Sequence, residues 1–326
     1  MMRMLLFQQK NMEEMLDSLE IKSFSKVAKE ELEYIKDRKS GKIKSLKTSL
    51  ANFNNALMNG VSIGDIITIA GSSGSGKTMI LNMLEEDYFN LNPEMDIAVL
   101  NFNFEMQGRR LVGRKLSRRF NKSLKSIYSS NTDMPQNNIS DEGVKKVEEY
   151  LKSNKDRQVY YCEVTGTIDQ VENTITQFTA ANPDKWVVVT LDHSGLIKKL
   201  GSRNNVDHMY DVMLMFNNMK KQHKISFVVV SQLNRGMESD DRKLNPEIHY
   251  PTRSDIWGSD AVYIYSDLVL IIDRPEMRGI VQYGPDRLPV TEMMYAHYIK
   301  IRDGEPFIGM MKTDFANGEV REMKNI

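Results

Sequence analysis

Residues 71–78 read Gly71-Ser72-Ser73-Gly74-Ser75-Gly76-Lys77-Thr78, and this stretch limits the possible folds more than any other. An apolar, β-rich run at 66–70 leads into it, and a helix-compatible stretch at 79–84 follows it. The pattern is G-x-x-x-x-G-K-[ST] in the strand–loop–helix setting that it needs. Glycines let successive backbone N–H groups turn inward around phosphate oxygens, and the helix N-terminus adds a favourable dipole. Lys77 is placed to bring a point charge to the β- and γ-phosphates, and the Thr78 hydroxyl to ligate Mg²⁺. The expected ligands are therefore a nucleoside triphosphate, ATP first among them, and Mg²⁺.

Around this loop the chain alternates β-rich runs with helical stretches. The runs are 66–70, 97–104, 159–164, 187–191, 227–231 and 268–272. Several are apolar without alternation, as central strands covered on both faces must be. The spacing predicts an α/β fold with a doubly wound, mostly parallel sheet. Two further strands, at 295–301 and 310–315, suggest a C-terminal hairpin-like extension. Residues 201–205 and the long polar stretch 234–254 read as loops.

Residues 1–45 are polar and read as an N-terminal segment with a helix, so 46–326 is the expected main domain. Phe24, Val27, Ala28, Leu32 and Ile35 give one narrow apolar stripe, with Gly41 as a stop. The stripe suits packing on its own domain or docking on a neighbouring subunit.

Composition narrows the class. The 326 residues hold 44 Lys+Arg against 44 Asp+Glu, so net charge selects no partner and any anion site must be local. One cysteine, Cys162, excludes an internal disulfide and a multi-cysteine zinc site, and fits a reducing compartment. The apolar start stops at Gln8, too short for a signal peptide, and no run approaches a membrane span. The expected location is the cytoplasm, with no membrane partner.

Other residues stand at strand ends. Asp192 closes the run 187–191, where an open α/β sheet faces its ligand crevice, and is placed to hold Mg²⁺. Glu105 follows the run 97–104 and suits either a base that polarises attacking water or a helix N-terminal acid. Gln232 follows 227–231 and suits a γ-phosphate sensor or a residue bonding its own turn. A basic stretch carries Arg109, Arg110, Arg114, Lys115, Arg118, Arg119, Lys122 and Lys125. It reads as a solvated face or as a track for a phosphate backbone. The five histidines show no metal-ligand spacing and read as structural or surface residues.

The phosphate loop, Asn103-Phe104-Glu105-Met106, Asp192 and Ser231-Gln232-Leu233-Asn234-Arg235-Gly236 stand in one order. That order and the last string resemble the RecA-like motor domain of DnaB-type replicative helicases. The resemblance covers roughly residues 25–315. It implies that Glu105 is the catalytic base and Gln232 the γ-phosphate sensor. Lys300-Ile301-Arg302-Asp303-Gly304 resembles the family's Lys-x-Arg-x-Gly element. This implies that Arg302 is an arginine finger, with Lys300 beside it, reaching a neighbour's γ-phosphate. Residues 28–35 resemble the family's linker helix, which packs on the adjacent subunit of a hexamer, so the resemblance favours the docking reading.

The implied function is an ATP-driven ring that translocates on single-stranded DNA and unwinds duplex. Arg203, Arg235, Arg242, Lys243, Arg253 and Trp257 are the candidate DNA contacts, and primase or a loader a candidate partner. Two departures stand out. Ser254-Asp255-Ile256-Trp257-Gly258-Ser259-Asp260 replaces the family's Arg-Glu-Ser-Gly segment, so Trp257 stands where an arginine is usual. It suits stacking on a base or anchoring the core. The family's helical N-terminal domain is also absent from these residues, as expected of a phage-type helicase or of a paralogue without unwinding. A recombinase-like or clock-type ATPase and a nucleotide-gated loader are the alternative readings.

Overall fold

The computed structural model describes residues 21–130, 138–199, 201 and 204–323. They form two compact units, one ending at Lys44 and one beginning at Ser45. In the first, helix α1 (Phe24–Lys39) starts at Ser23, whose side chain accepts from the Lys26 amide. Lys36, Arg38 and Lys39 fill its last turn, where cations suit the helix dipole, and Gly41 follows with φ +75°. None of its residues is buried, and Phe24, Leu32 and Ile35 are all exposed.

The second unit is built on one nine-stranded sheet in the order β3-β2-β4-β5-β1-β6-β7-β8-β9. Strands β1 (Ile66–Gly71), β2 (Ile97–Asn103), β3 (Val159–Cys162), β4 (Trp186–Asp192), β5 (Ile225–Gln232) and β6 (Leu268–Asp273) pair in parallel. Strands β7 (Met293–Ile301), β8 (Phe307–Asp314) and β9 (Glu319–Glu322) continue it antiparallel. The sheet is mostly parallel, as expected, and β9 extends the anticipated hairpin.

Its central strands are apolar on both faces because both are covered. Ile67, Ile69, Val188, Val228 and Val230 belong to one core, which helix α2 (Lys77–Asn90) closes with Ile80 and Leu84. Helix α3 (Gly108–Phe120) joins α2 through an ion pair between Lys115 and Glu85. Ile66, Ala70, Val189, Phe227 and Val229 point the other way. There α4 (Ile168–Ala181) and α5 (Asn205–Gln222) supply Val171, Ile175, Val212 and Phe216. Between the cores, register fixes what stands side by side. Gly71 lies beside Gln232, and Asn103 beside Asp192.

The 234–254 stretch is not an open loop. It folds as short helical turns over Arg235–Glu238, Asp240–Leu244, Pro246–Ile248 and Arg253–Asp255. The Arg242 guanidinium ties them together, donating through both Nη atoms to Asp255 at 3.1 Å and to Tyr250 O at 2.9 Å. Among the described residues, no helix is long and apolar enough to cross a membrane.

Candidate nucleotide-binding site

The phosphate loop leaves β1 and enters α2 through two left-handed glycines, Gly74 (φ +76°) and Gly76 (φ +106°). Space is as restrictive as angle. A Cβ on Gly71 would sit 2.6 Å from the Ile272 carbonyl, and one on Gly76 would sit 2.5 Å from the Met294 methyl. Side chains are therefore excluded where the backbone must wrap closest. Ser75 Oγ is buried in this loop without a partner. The donor set fits a magnesium nucleotide.

Lys77 is buried and donates to Gly71 O at 2.7 Å and Ser72 O at 2.8 Å. Burial lowers its pKa, opposed by the Asp192 and Glu105 carboxylates. Thr78 Oγ1 donates to Asp192 Oδ2 at 2.7 Å, so the two expected metal ligands meet. Burial raises the Asp192 pKa, against the Thr78 hydrogen bond and with help from Glu105.

A cavity of about 580 Å³ opens at this point, lined among others by Gly76, Lys77, Thr78, Glu105, Gln232 and Phe315. Glu105 is exposed to it just past the end of β2. The structure thus gathers Lys77, Thr78, Asp192, Glu105 and Gln232 at the carboxyl ends of adjoining strands.

Lys300 and Arg302 are not with them. Lys300 donates to Tyr263 O and to Ile264 O, the latter at 3.1 Å, and Arg302 pairs with Asp267 just before β6 begins. Gly71 is in register with Ile272, at the other end of that strand. Five residue steps of strand separate the two places, roughly 17 Å.

The basic stretch, centred on α3, divides its charges. Lys115 is buried against Glu85, and Arg118 pairs with Glu86 at 3.2 Å. Arg114 and Lys125 line the cavity. Neither a uniform solvated face nor a DNA track describes the helix, because α2 presents two carboxylates to it.

The candidate DNA residues also separate. Arg203 lies outside the described residues. Arg235 is exposed, and Lys243 reaches Asp240 at 3.4 Å. Arg253 pairs with Asp260 and lies over the Tyr263 ring. Arg242, bound within its own loop, serves the loop's shape. Trp257 is half-buried against the core, with its amide donating to Gln232 O at 2.9 Å.

Sequence spacing missed His193. Its Nε2 lies 3.2 Å from Gln232 Nε2, and burial lowers its pKa. Adjacency to Asp192 is the available signal, and it carries little without the sheet register.

The family model for the DnaB-like helicase C-terminal domain matches residues 45–319. Among solved structures, an isolated ATPase domain of a DnaB-like replicative helicase superposes with TM-score 0.74 at 14% identity, covering 91% of this chain and 98% of that one. A DnaB-like replicative helicase, described with its interactions with primase, superposes with TM-score 0.70 at 14% identity, covering 96% and 70%. No curated protein matches the sequence. The fold is the RecA-like ATPase fold seen in these neighbours.

Proposed function

This chain belongs to the family of DnaB-like helicase C-terminal domains, and from that premise we propose that it is an ATP-hydrolysing ring motor that translocates on single-stranded DNA and unwinds duplex. One observation carries the reading. The catalytic set is split between two ends of the sheet, roughly 17 Å apart along β6, so a complete site takes residues from two copies. A hexameric ring, as the resemblance implies, is the assembly proposed. The exposed stripe of α1 offers the neighbour a docking helix.

In one copy, Lys77 binds the β- and γ-phosphates, and Thr78 and Asp192 hold Mg²⁺. The ion, when bound, neutralises charge on the phosphate oxygens. Glu105 takes the proton of the attacking water. Gln232 donates to the γ-phosphate. From the adjacent copy, Arg302 and Lys300 offset the charge that develops on the transferring phosphoryl group. Arg114 and Phe315 border the cavity where the rest of the nucleotide lies.

Arg235, Lys243 and Arg253 meet DNA phosphates from the 235–257 segment, in the proposed central channel. The proposal places the protein in the cytoplasm, with primase or a loader as a further partner. The replicative helicase similar in fold is described with primase.

The test is ATPase activity with and without single-stranded DNA, run beside native mass and strand separation on a forked duplex. DNA-stimulated turnover by a ring, with unwinding, is expected. Hydrolysis that DNA does not stimulate, with no strand separation, overturns the reading.

A further inference from the structure

No step of the proposed chemistry uses His193, yet several contacts converge around it. Gln232 Nε2 lies 3.2 Å from His193 Nε2. An amide nitrogen only donates, so the imidazole accepts there, as the neutral ring with its proton on Nδ1. The Gln232 carbonyl accepts from the Trp257 amide at 2.9 Å. Between the two rings stands Gly195. A Cβ built on it would lie 3.2 Å from His193 Nδ1 and Cε1, and 3.4 Å from Trp257 Cζ3. A glycine thus lets the imidazole and the indole press on one backbone from two directions.

The chain Asp192–His193–Gln232–Trp257 therefore runs from a proposed metal ligand to the segment that departs most from the family pattern. We infer that His193 is a positioning residue, fixing the Gln232 amide and, across Gly195, holding Trp257, so that nucleotide occupancy is transmitted to the 254–260 segment. The inference rests on the proposed role of Gln232 at the γ-phosphate. It gives the tryptophan a use other than base stacking or plain core filling.

Trp257 also supplies the readout. The chain has two tryptophans, and Trp186 is fully buried with its indole N–H donating to Ser226 Oγ at 2.9 Å. Tryptophan emission of the full chain is recorded while a non-hydrolysable ATP analogue with Mg²⁺ is titrated, and Trp257→Phe identifies the source of any change. His193→Phe keeps a ring and removes the acceptor. His193→Gln restores a polar atom at the same reach.

The wild type is expected to change its Trp257 emission on binding the analogue. His193→Phe should bind with affinity within about threefold of wild type yet lose that change, and His193→Gln should regain most of it. Gly195→Ala should weaken the change by displacing one ring. In steady-state assays His193→Phe should lower kcat about tenfold with little effect on KM. Unchanged emission on analogue binding by the wild type overturns the inference, as does a normal response from His193→Phe. So does a His193→Gln response no better than that of His193→Phe, which would assign the effect to packing. Absence of DNA stimulation in the wild type would instead count against the motor reading, because the emission test uses no DNA.

Discussion

The parallel part of the sheet and its antiparallel edge use their charged residues differently. At the carboxyl ends of β1, β4 and β5, Lys77, Thr78, Asp192 and Gln232 turn toward one cavity and toward one another. On and just past β7, Lys300 and Arg302 turn away from that cavity and hold backbone carbonyls and Asp267. The first region is half-built for catalysis within one chain. The second stands too far from that half to complete it in the same chain, and this distance points to a partner copy.

Mixing copies breaks or sharpens that contrast most directly. Arg302→Ala should lower kcat about 10³–10⁵-fold while nucleotide binding persists. Lys77→Ala should lose both. When the two inactive variants are mixed before assembly, steady-state turnover should partly return, because some interfaces then join an intact phosphate loop to an intact arginine. Mixtures as inactive as either variant alone would place both residues in one chain's site.

Within the parallel part, Glu105→Gln should lower single-turnover hydrolysis by about 10²–10⁴-fold with nucleotide affinity retained. A turnover equal to wild type would remove Glu105 as the base.

The same two regions are unequally legible in the sequence. The parallel strands stand out, since strands covered on both faces are apolar throughout, and the phosphate loop has a fixed spacing. Strand ends then locate Asp192, Glu105 and Gln232. What stays hidden depends on partners far apart in the chain. Arg242 finds Asp255 across a folded loop, Lys115 finds Glu85 across two helices, and His193 finds Gln232 across two strands. No local period records such pairs, so a basic residue destined for a buried carboxylate looks the same as one destined for DNA.

Those hidden pairs give smaller, structural tests of each region. In the parallel part, Lys115→Met leaves Glu85 buried without its cation, with only Asn101 still donating to it. Denaturant unfolding should show a loss of about 3–5 kcal/mol.

In the antiparallel edge, His297 is fully buried, its pKa lowered to about 3 by burial and secondarily by Arg278. It shares a 2.7 Å hydrogen bond with the Tyr283 hydroxyl, which also lies 2.7 Å from Asp273 and donates to it. The folded protein resists protonating this ring, whereas the unfolded chain accepts a proton near the ordinary imidazole value of 6.5. Its contribution to stability is therefore complete above about pH 6.5 and declines as pH falls toward 3, by up to ~1.4 kcal/mol per pH unit. Burial raises the Asp273 pKa, which works in the opposite sense at the acid end. His297→Gln should flatten the stability profile between about pH 6.5 and 4, as read by unfolding midpoints, by about one proton. The smallest expected effect is Arg235→Ala, which should reduce the salt slope of single-stranded DNA binding by about 0.7.

Strand β6 is bracketed by Asp267, which holds Arg302 and Lys220, and Asp273, which holds Arg278. Arg278 in turn donates to the carbonyls of Met237 and His249 in the folded 235–257 segment. A strand hydrogen-bonded on both sides neither shortens nor bends appreciably, so β6 acts as a ruler roughly 20 Å long. A push received at its Arg302 end reaches the loop at its far end as a rigid translation rather than being absorbed as strain. The stiffness of this one strand thus sets the stroke length that a subunit can deliver.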